Sequence, residues 1–383
     1  METKRLNIGF DAKRIVSNAT GLGSYGRTLI NDLAKLSDHQ LRLYAPTPGR
    51  DDLRLQVEEH PNLSFVYPRL LFNNRLWQKL RGSWWRSHGV VSDLKRDGIH
   101  IYHGLSGELP TGLRKAGICG IVTIHDLIFL RHPEFYNPVD VFLYRRKFQQ
   151  TLKEAERIIA ISECTKRDIL AFGEFPEDRI DIIYQSCGTR FCMREPEQKL
   201  QEVNAQYDLP ARYILNVGTI EVRKNVGLVV KALRHLPDDL HLVVLGRPTQ
   251  YKETVLREAA DSGVTHRLHF LHGIPNEDLP SIYQLAECFV YPSRYEGFGI
   301  PIIEAIQSGL PVVAATGSCL EEAGGPDSLY VSPDDAEGMA EAVVCAIKER
   351  EERVARSREY VRRFENSNVA RQMLEEYQRY STY

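Results

Sequence analysis

The sequence predicts an α/β fold with two doubly wound parallel sheets in tandem, and three observations predict it. Short apolar runs that read as buried strands alternate with longer amphipathic stretches from end to end, the pattern of parallel strands joined by crossover helices. The runs end where loops with Gly, Ser or Pro begin, as strands feeding tight connections do. The 383 residues exceed what one hydrophobic core usually serves, so two domains of roughly 150 to 200 residues are expected.

In the first half, strands are placed at LNIGF (6–10), LRLYAP (41–46), LSFVYP (63–68), IHIYH (99–103), ICGIVTIHD (118–126), RIIAIS (157–162) and RIDIIYQS (179–186), with the helix GSYGRTLINDLAKL after the first. Ser162 is suited to cap a helix through ECTKRDILAF that Gly173 stops. The polar, poorly patterned stretch 194–212 is read as a linker. The second half restarts the cycle with YILNVG (213–218), HLVVLG (241–246), RLHFLHG (267–273), CFVYPS (288–293), LPVVAA (310–315) and SLYVSP (328–333). Those six runs suffice for a second sheet. From about Asp334 to Tyr383 the pattern is helical, and its charged run KEREERVARSREYVRRFENS reads as solvated helix faces.

A composition of 43% hydrophobic and 26% charged residues with net charge −2 is that of an ordinary globular protein without a global pull toward nucleic acid. The seven cysteines are scattered and lack paired zinc-site spacing, which fits a reducing cytoplasm, and no metal or cofactor is expected. The opening METKRLNIGF moves straight into a strand without an apolar leader, and no run is long enough to span a bilayer.

In open parallel sheets, ligands bind beyond the carboxyl ends of the strands, and four segments fall there. GTIEVRKN, Gly218 to Asn225, follows a strand and precedes a helix; Arg223 and Lys224 beside a helix N-terminus suit an anion, although a solvated basic loop would look the same. In YPSRYEGFGIPIIEAIQSGLPVVAA, Pro301 suits the first helical position, so the amides of Phe298, Gly299 and Ile300 are expected as donors. Glu304 is placed in the first turn, ionised under the helix dipole and able to accept from a ribose diol. Glu296, on the loop, is free to hold hydroxyls of another part of the same ligand. Two carboxylates flanking a nest of amides match a molecule with hydroxyls at both ends and phosphates between, the layout of a nucleotide-sugar.

The third segment is TIHDL, where His125 closes an apolar strand. The fourth, TGLGSYGRTL, reads as G-x-G-x-x-G through Gly21, Gly23 and Gly26. About ten residues separate it from the preceding strand, and LRLYAP ends without a ribose-binding acid. A dinucleotide-dependent oxidoreductase is therefore the weaker alternative, beside a noncatalytic nucleotide-sugar-binding partner. Residues 69–90 hold all three tryptophans, Trp77, Trp84 and Trp85, among Arg75, Lys79, Arg81 and Arg86. That mixture suits peripheral membrane contact or a glycolipid, and equally a helix burying its tryptophans.

Across nearly the whole chain these segments resemble the family 4 retaining glycosyltransferases of the GT-B fold, in their mannosyltransferase-like branch. EGFGIPIIEAIQSGLPVVAA is similar to the family's E-x7-E signature, GTIEVRKN to its phosphate-binding loop, HGIPNEDLPSIYQLAECFVYPS to the segment joining them, and FDAKRIVSNATGLGSYGRTL and TIHDLIFLRHPEFY to the branch's N-terminal motifs. The resemblance implies two Rossmann-like domains facing a cleft. It places an acceptor-binding domain at 1–200, a nucleotide-sugar-binding domain at 201–362, and a C-terminal helix at 363–383 that returns to the first domain. It implies that Arg223 and Lys224 neutralise the donor diphosphate, Glu304 binds ribose, and Glu296 with Gly297, Phe298, Gly299 and Ile300 contacts the donor sugar. His125 would bond the sugar near the reacting carbon, Gly21 and Gly23 would form a loop closing over phosphate and acceptor, and Gly218 would lead the phosphate loop. Thr219 stands where many relatives carry Arg, leaving more of the charge to Arg223 and Lys224. The implied reaction is metal-free hexosyl transfer, best read as mannosyl from GDP-mannose, with a UDP-sugar donor the alternative. The implied acceptor is a saccharide or glycolipid at the inner membrane face.

Overall fold

The computed structural model describes residues 5–68 and 81–380. The chain forms two compact units, Met1–Ser186 with Asn366–Tyr383, and Cys187–Glu365. The first is built on β1 (Asn7–Asp11), β2 (Gln40–Tyr44), β3 (Leu63–Val66), β4 (Ile101–Gly104), β5 (Cys119–Ile124), β6 (Arg157–Ala160) and β7 (Ile180–Ile182). They lie in the order β3-β2-β1-β4-β5-β6-β7. The second is built on β8 (Tyr213–Val217), β9 (His241–Leu245), β10 (Leu268–Leu271), β11 (Cys288–Tyr291), β12 (Val312–Ala315) and β13 (Leu329–Val331), in the order β10-β9-β8-β11-β12-β13. Every pairing is parallel, and each strand lies on a run expected from the sequence.

Strands β4, β6, β11 and β12 are buried at every position. Of these, β11 (CFVY) and β12 (VVAA) are continuous apolar runs, as a sheet covered on both faces requires. Strand order reverses between β1 and β4 and between β8 and β11, which opens a crevice at the carboxyl ends of these pairs. The Ser162 hydroxyl accepts from the Thr165 amide and caps the helix Glu163–Phe172, with Gly173 at its end as expected.

The boundaries differ from the sequence expectation. The second unit begins at Cys187, and the stretch expected as a linker contains the helix Glu197–Tyr207. That helix is tied to Asp278 of its own unit by Lys199 and by the Tyr207 hydroxyl at 2.6 Å. Its outward positions are polar and only Val203 is buried, so its periodicity is faint in the sequence. The helical tail divides into Ala336–Lys348, Arg350–Val361 and Asn366–Arg379, and the last belongs to the first unit.

There Val369, Ala370, Met373, Leu374 and Tyr377 join the core of Ile8, Phe10 and Leu29. The Tyr377 hydroxyl bonds His103 Nδ1 at 2.7 Å, and His103 Nε2 bonds Thr123 Oγ1 at 2.8 Å. Burial holds His103 neutral, its pKa lowered to about 3. Tyr377→Ala opens a cavity and strands one His103 nitrogen, so it is expected to destabilise the chain by about 3–5 kcal/mol, read from the urea midpoint.

Of the tryptophan-rich segment, Trp77, Arg75 and Lys79 lie outside the described residues. Both readings of the remainder have a counterpart. Trp85 is buried and donates from Nε1 to Asp93 at 2.7 Å, whereas Trp84 is 63% exposed.

Candidate active site

The predicted residues of the second unit gather beyond the carboxyl ends of the paired strands β8 and β11. Gly218 follows β8 with φ of +151°, a conformation that suits glycine, and half-buried Thr219 comes next. A single 3-10 turn, Val222–Lys224, then presents both cations. Asn225, left-handed at φ +55°, fastens that turn by donating from Nδ2 to the carbonyls of Pro292 (3.2 Å) and Pro333 (2.8 Å). The Arg294 amide donates to the Arg223 carbonyl at 2.9 Å, so the two loops are laced together.

Glu296 proves to be the partner of the cations. Arg223 Nη1 lies 2.8 Å and Lys224 Nζ 2.5 Å from its carboxylate. Arg223 also donates to the Tyr295 carbonyl (2.6 Å) and to Glu221 (2.7 Å), and Lys224 donates to the Tyr291 hydroxyl (2.6 Å). Burial opposes ionisation of Glu296, but the two cations outweigh it and hold the pKa at about 2. Burial likewise pulls Lys224 and Arg223 down, and Glu296 reverses this, leaving both above their ordinary values. The sequence reading kept Glu296 free for ligand hydroxyls; in the structure it neutralises the cations first. Donor inventory shows what remains. An ammonium has three N–H groups and a guanidinium five. Tyr291 and Glu296 take two from Lys224; Tyr295, Glu296 and Glu221 take three from Arg223.

Gly299, at φ +135°, caps the helix Ile300–Gln307. An ideal Cβ there would lie 3.1 Å from Ala323 Cβ and 3.3 Å from Leu320, so a side chain would be both strained and crowded. Pro301 takes the second helical position rather than the first, which suits it because no intrahelical N–H bond is required there. Gly297 precedes Phe298, whose ring is buried edge-on against Phe364 at 5.2 Å and whose carbonyl accepts from Cys319 Sγ.

Glu304 requires a correction. It is the fifth residue of its helix, not in the first turn, so the dipole does little for it. Burial pushes its carboxyl above the ordinary value, against the pull of the Tyr283 hydroxyl, which donates to Oε2 at 2.9 Å, and of Arg190. Tyr283 stacks on Phe289 (5.6 Å), and Phe289 on Tyr291 (5.7 Å). This aromatic file ties Glu304 to the Lys224–Glu296 pair. Tyr283, Tyr291 and Asn225 were missed by sequence reasoning. Tyr291, a lone hydroxyl ending the apolar strand CFVY, carried a visible signal; Tyr283 carried none.

His125, Gly21 and Gly23 belong to the first unit. His125 follows β5, with Nε2 donating to the Leu105 carbonyl (2.8 Å) and Nδ1 accepting from Gln185 Nε2 (2.7 Å). Burial lowers its pKa to about 4, so the ring is neutral and both nitrogens are engaged. It can reach a sugar only by exchanging one of these bonds. The expected loop at Gly21 and Gly23 is instead the first turn of the helix Gly21–Leu36. A Cβ on Gly23 would lie 1.9 Å from the Asn18 carbonyl oxygen, and one on Gly26 2.8 Å from Ile15 Cγ1. Helix packing therefore accounts for these two glycines. The helix Lys13–Ser17 stands between β1 and the glycines, so the strand–turn–helix of a dinucleotide fingerprint is not formed. At the end of β1, buried Asp11 pairs with Arg86 at 2.5 Å, and Arg86 also reaches Glu108, a cluster the sequence did not disclose.

Two family descriptions match the chain: "Glycosyltransferase Family 4" over residues 19–186 and "Glycosyl transferases group 1" over 199–364. The sucrose-phosphate synthase of Thermosynechococcus elongatus superposes with a TM-score of 0.78 at 21% identity, covering 98% of this chain and 99% of that one. Anabaena Alr3699/HepE, in complex with UDP and glucose, gives 0.74 at 15% identity, covering 97% and 99%. The two parallel-sheet units have the GT-B fold, and the two family matches make the chain a glycosyltransferase. In sequence, the O-antigen chain mannosyltransferase B of Escherichia coli is 29% identical over 97% of this chain and 99% of its own length. The O-antigen chain mannosyltransferase RfbU of Salmonella typhimurium is 25% identical over 65% and 66%. The chain belongs to the family 4 glycosyltransferases, in the mannosyltransferase-like group.

Proposed function

We propose that the protein is a retaining mannosyltransferase. It moves mannosyl from GDP-mannose to a saccharide or lipid-linked saccharide acceptor in cell-surface polysaccharide synthesis, at the cytoplasmic face of the membrane. The observation that carries the chemistry is the buried Arg223–Glu296–Lys224 triad beyond β8 and β11; the sugar assignment rests on likeness to the O-antigen mannosyltransferases.

In this reading, the N–H groups of Lys224 and Arg223 not taken by protein partners bond the donor diphosphate. Charge accumulates on that diphosphate as the glycosidic bond breaks, and fixed cations in a water-poor site stabilise it there. Glu296 holds both cations in place and turns its remaining lone pairs to the sugar, while amides of Gly299 and Ile300 at the helix start face the ligand. Glu304, oriented by Tyr283, accepts from the ribose hydroxyls. The departing phosphate assists deprotonation of the acceptor on the same face, which preserves anomeric configuration. His125 is assigned near the transferred sugar after release of Gln185.

A thermal-shift series with GDP, UDP, GDP-mannose and UDP-glucose tests the donor, since a ligand binding only the folded state raises the melting temperature. The guanosine ligands are expected to give the larger shift; a larger shift with the uridine ligands would select the UDP-sugar alternative. NMR of the product is expected to show the donor's anomeric configuration retained. Because the cations take the metal's electrostatic role, turnover is expected to be unchanged by EDTA, and loss of activity restored by Mg²⁺ would refute that part. Donor binding without turnover on any saccharide acceptor would indicate a noncatalytic partner.

A further inference from the structure

We propose, on the reading of the loop Glu296–Gly299 as the donor-binding one, that Cys319 is a positioning residue that holds its backbone from behind. Cys319 follows β12 and stands at the N-cap of the short helix Leu320–Gly324. Its side chain makes no capping bond to that helix and turns to the donor loop instead. The thiol is free and wholly buried, at 0% exposure. Sγ lies 3.1 Å from the carbonyl oxygen of Glu296 and 2.7 Å from that of Phe298. A thiol has one proton, so a single donor serves both carbonyls.

Peptide geometry turns those two contacts into an orientation of the loop. Both peptide bonds are trans, and in a planar trans unit the N–H points opposite to the C=O. The Glu296 carbonyl shares its unit with the Gly297 amide, and the Phe298 carbonyl with the Gly299 amide. Fastening both oxygens to Cys319 therefore turns both N–H groups away from the buried thiol. Gly299 is fixed from the same wall a second time: an ideal Cβ there would lie 3.1 Å from Ala323 Cβ and 3.3 Å from Leu320, and both neighbours belong to the helix that Cys319 begins. Glu296 is held at both ends, its carbonyl by Cys319 and its carboxylate by Arg223 and Lys224. Cys319 thus sets where the counter-charge of the cations stands and where the Gly299 amide points. Having no exposed surface, it acts only through them. Space alone would be filled by any small apolar side chain; the thiol adds a proton at little desolvation cost, since cysteine buries like a small hydrophobe. A hydroxyl donates at about 2.7–2.8 Å, so Cys319→Ser keeps a donor that fits these separations and Cys319→Ala removes it.

The test is calorimetric titration of the full chain and both variants with GDP-mannose and with UDP-glucose, alongside hydrogen exchange of residues 296–300. Cys319→Ala is expected to weaken binding of the preferred donor about tenfold and to speed amide exchange in 296–300. Cys319→Ser is expected to bind within about threefold of wild type, even though both variants lower the melting temperature. That split separates positioning from packing, because a merely structural cysteine would change stability and leave the affinity of the folded protein alone. Wild-type affinity or unchanged exchange in Cys319→Ala overturns the proposal, as does Cys319→Ser binding no better than Cys319→Ala. Those failures leave the wild type binding its donor. A wild type that binds neither nucleotide-sugar is a different result: it overturns the donor reading of the loop, and the role of Cys319 with it.

Discussion

Lys224→Ala is expected to lower kcat/KM by about 10²–10³, the loss typical of removing one preorganised donor from the site of developing charge. The ammonium is held from two sides, by Glu296 at 2.5 Å and the Tyr291 hydroxyl at 2.6 Å, so its third N–H has a fixed direction. A group that meets the diphosphate more strongly as the bond breaks lowers kcat as well as affinity. Structural damage is a separate effect and can be separated. Arg223 still neutralises Glu296 in the variant, so folding should survive, with a lowered urea midpoint. Tyr291→Phe is the control: it keeps the ring and the charge but removes the hydroxyl that steers Nζ, and it is expected to cost about tenfold or less. A Lys224→Ala enzyme with near wild-type kcat would sink the assignment of the cations to the leaving group.

The fold was legible because parallel strands buried on both faces leave continuous apolar runs, as in CFVY and LPVVAA, each ended by a loop signal. The helix Glu197–Tyr207 was not, because a single buried residue, Val203, sets its inner face. The loops that carry the site could be located, since ligands gather beyond strand ends at a switch point. Their internal wiring could not. Spacing along the chain places Arg223 and Lys224 on one loop and Glu296 on another, and only the folded structure shows that the carboxylate meets both cations. The same limit hid the elevated carboxyl of Glu304, where burial outweighs the opposing pull of a tyrosine from a different helix. The glycines of TGLGSYGRTL mislead for the opposite reason: Gly23 and Gly26 satisfy a fingerprint, yet close packing against Asn18 and Ile15 is enough to explain them.

Glu296→Gln is expected to have the second large effect, and the size of that effect on stability changes with pH. The folded carboxyl titrates near 2 against an ordinary value of 4.5, a depression worth about 3 kcal/mol at 1.36 kcal/mol per unit. A lowered folded pKa means that the ionised form is the one the fold favours. The contribution is therefore fully present above the unfolded value and is lost as pH falls from about 4.5 toward 2. Wild type should lose stability across that window, and Glu296→Gln should lack this component, so the two urea-stability curves diverge at neutral pH and converge in acid. Activity should fall as well, because glutamine keeps the shape but leaves Lys224 without its carboxylate and Arg223 with Glu221 alone. Free of the carboxylate, those cations should bind free nucleoside diphosphate more tightly, even as turnover drops. A Gln variant with a parallel acid profile, or with weaker diphosphate binding, would show that Glu296 does not hold the cations in solution as it does in the structure.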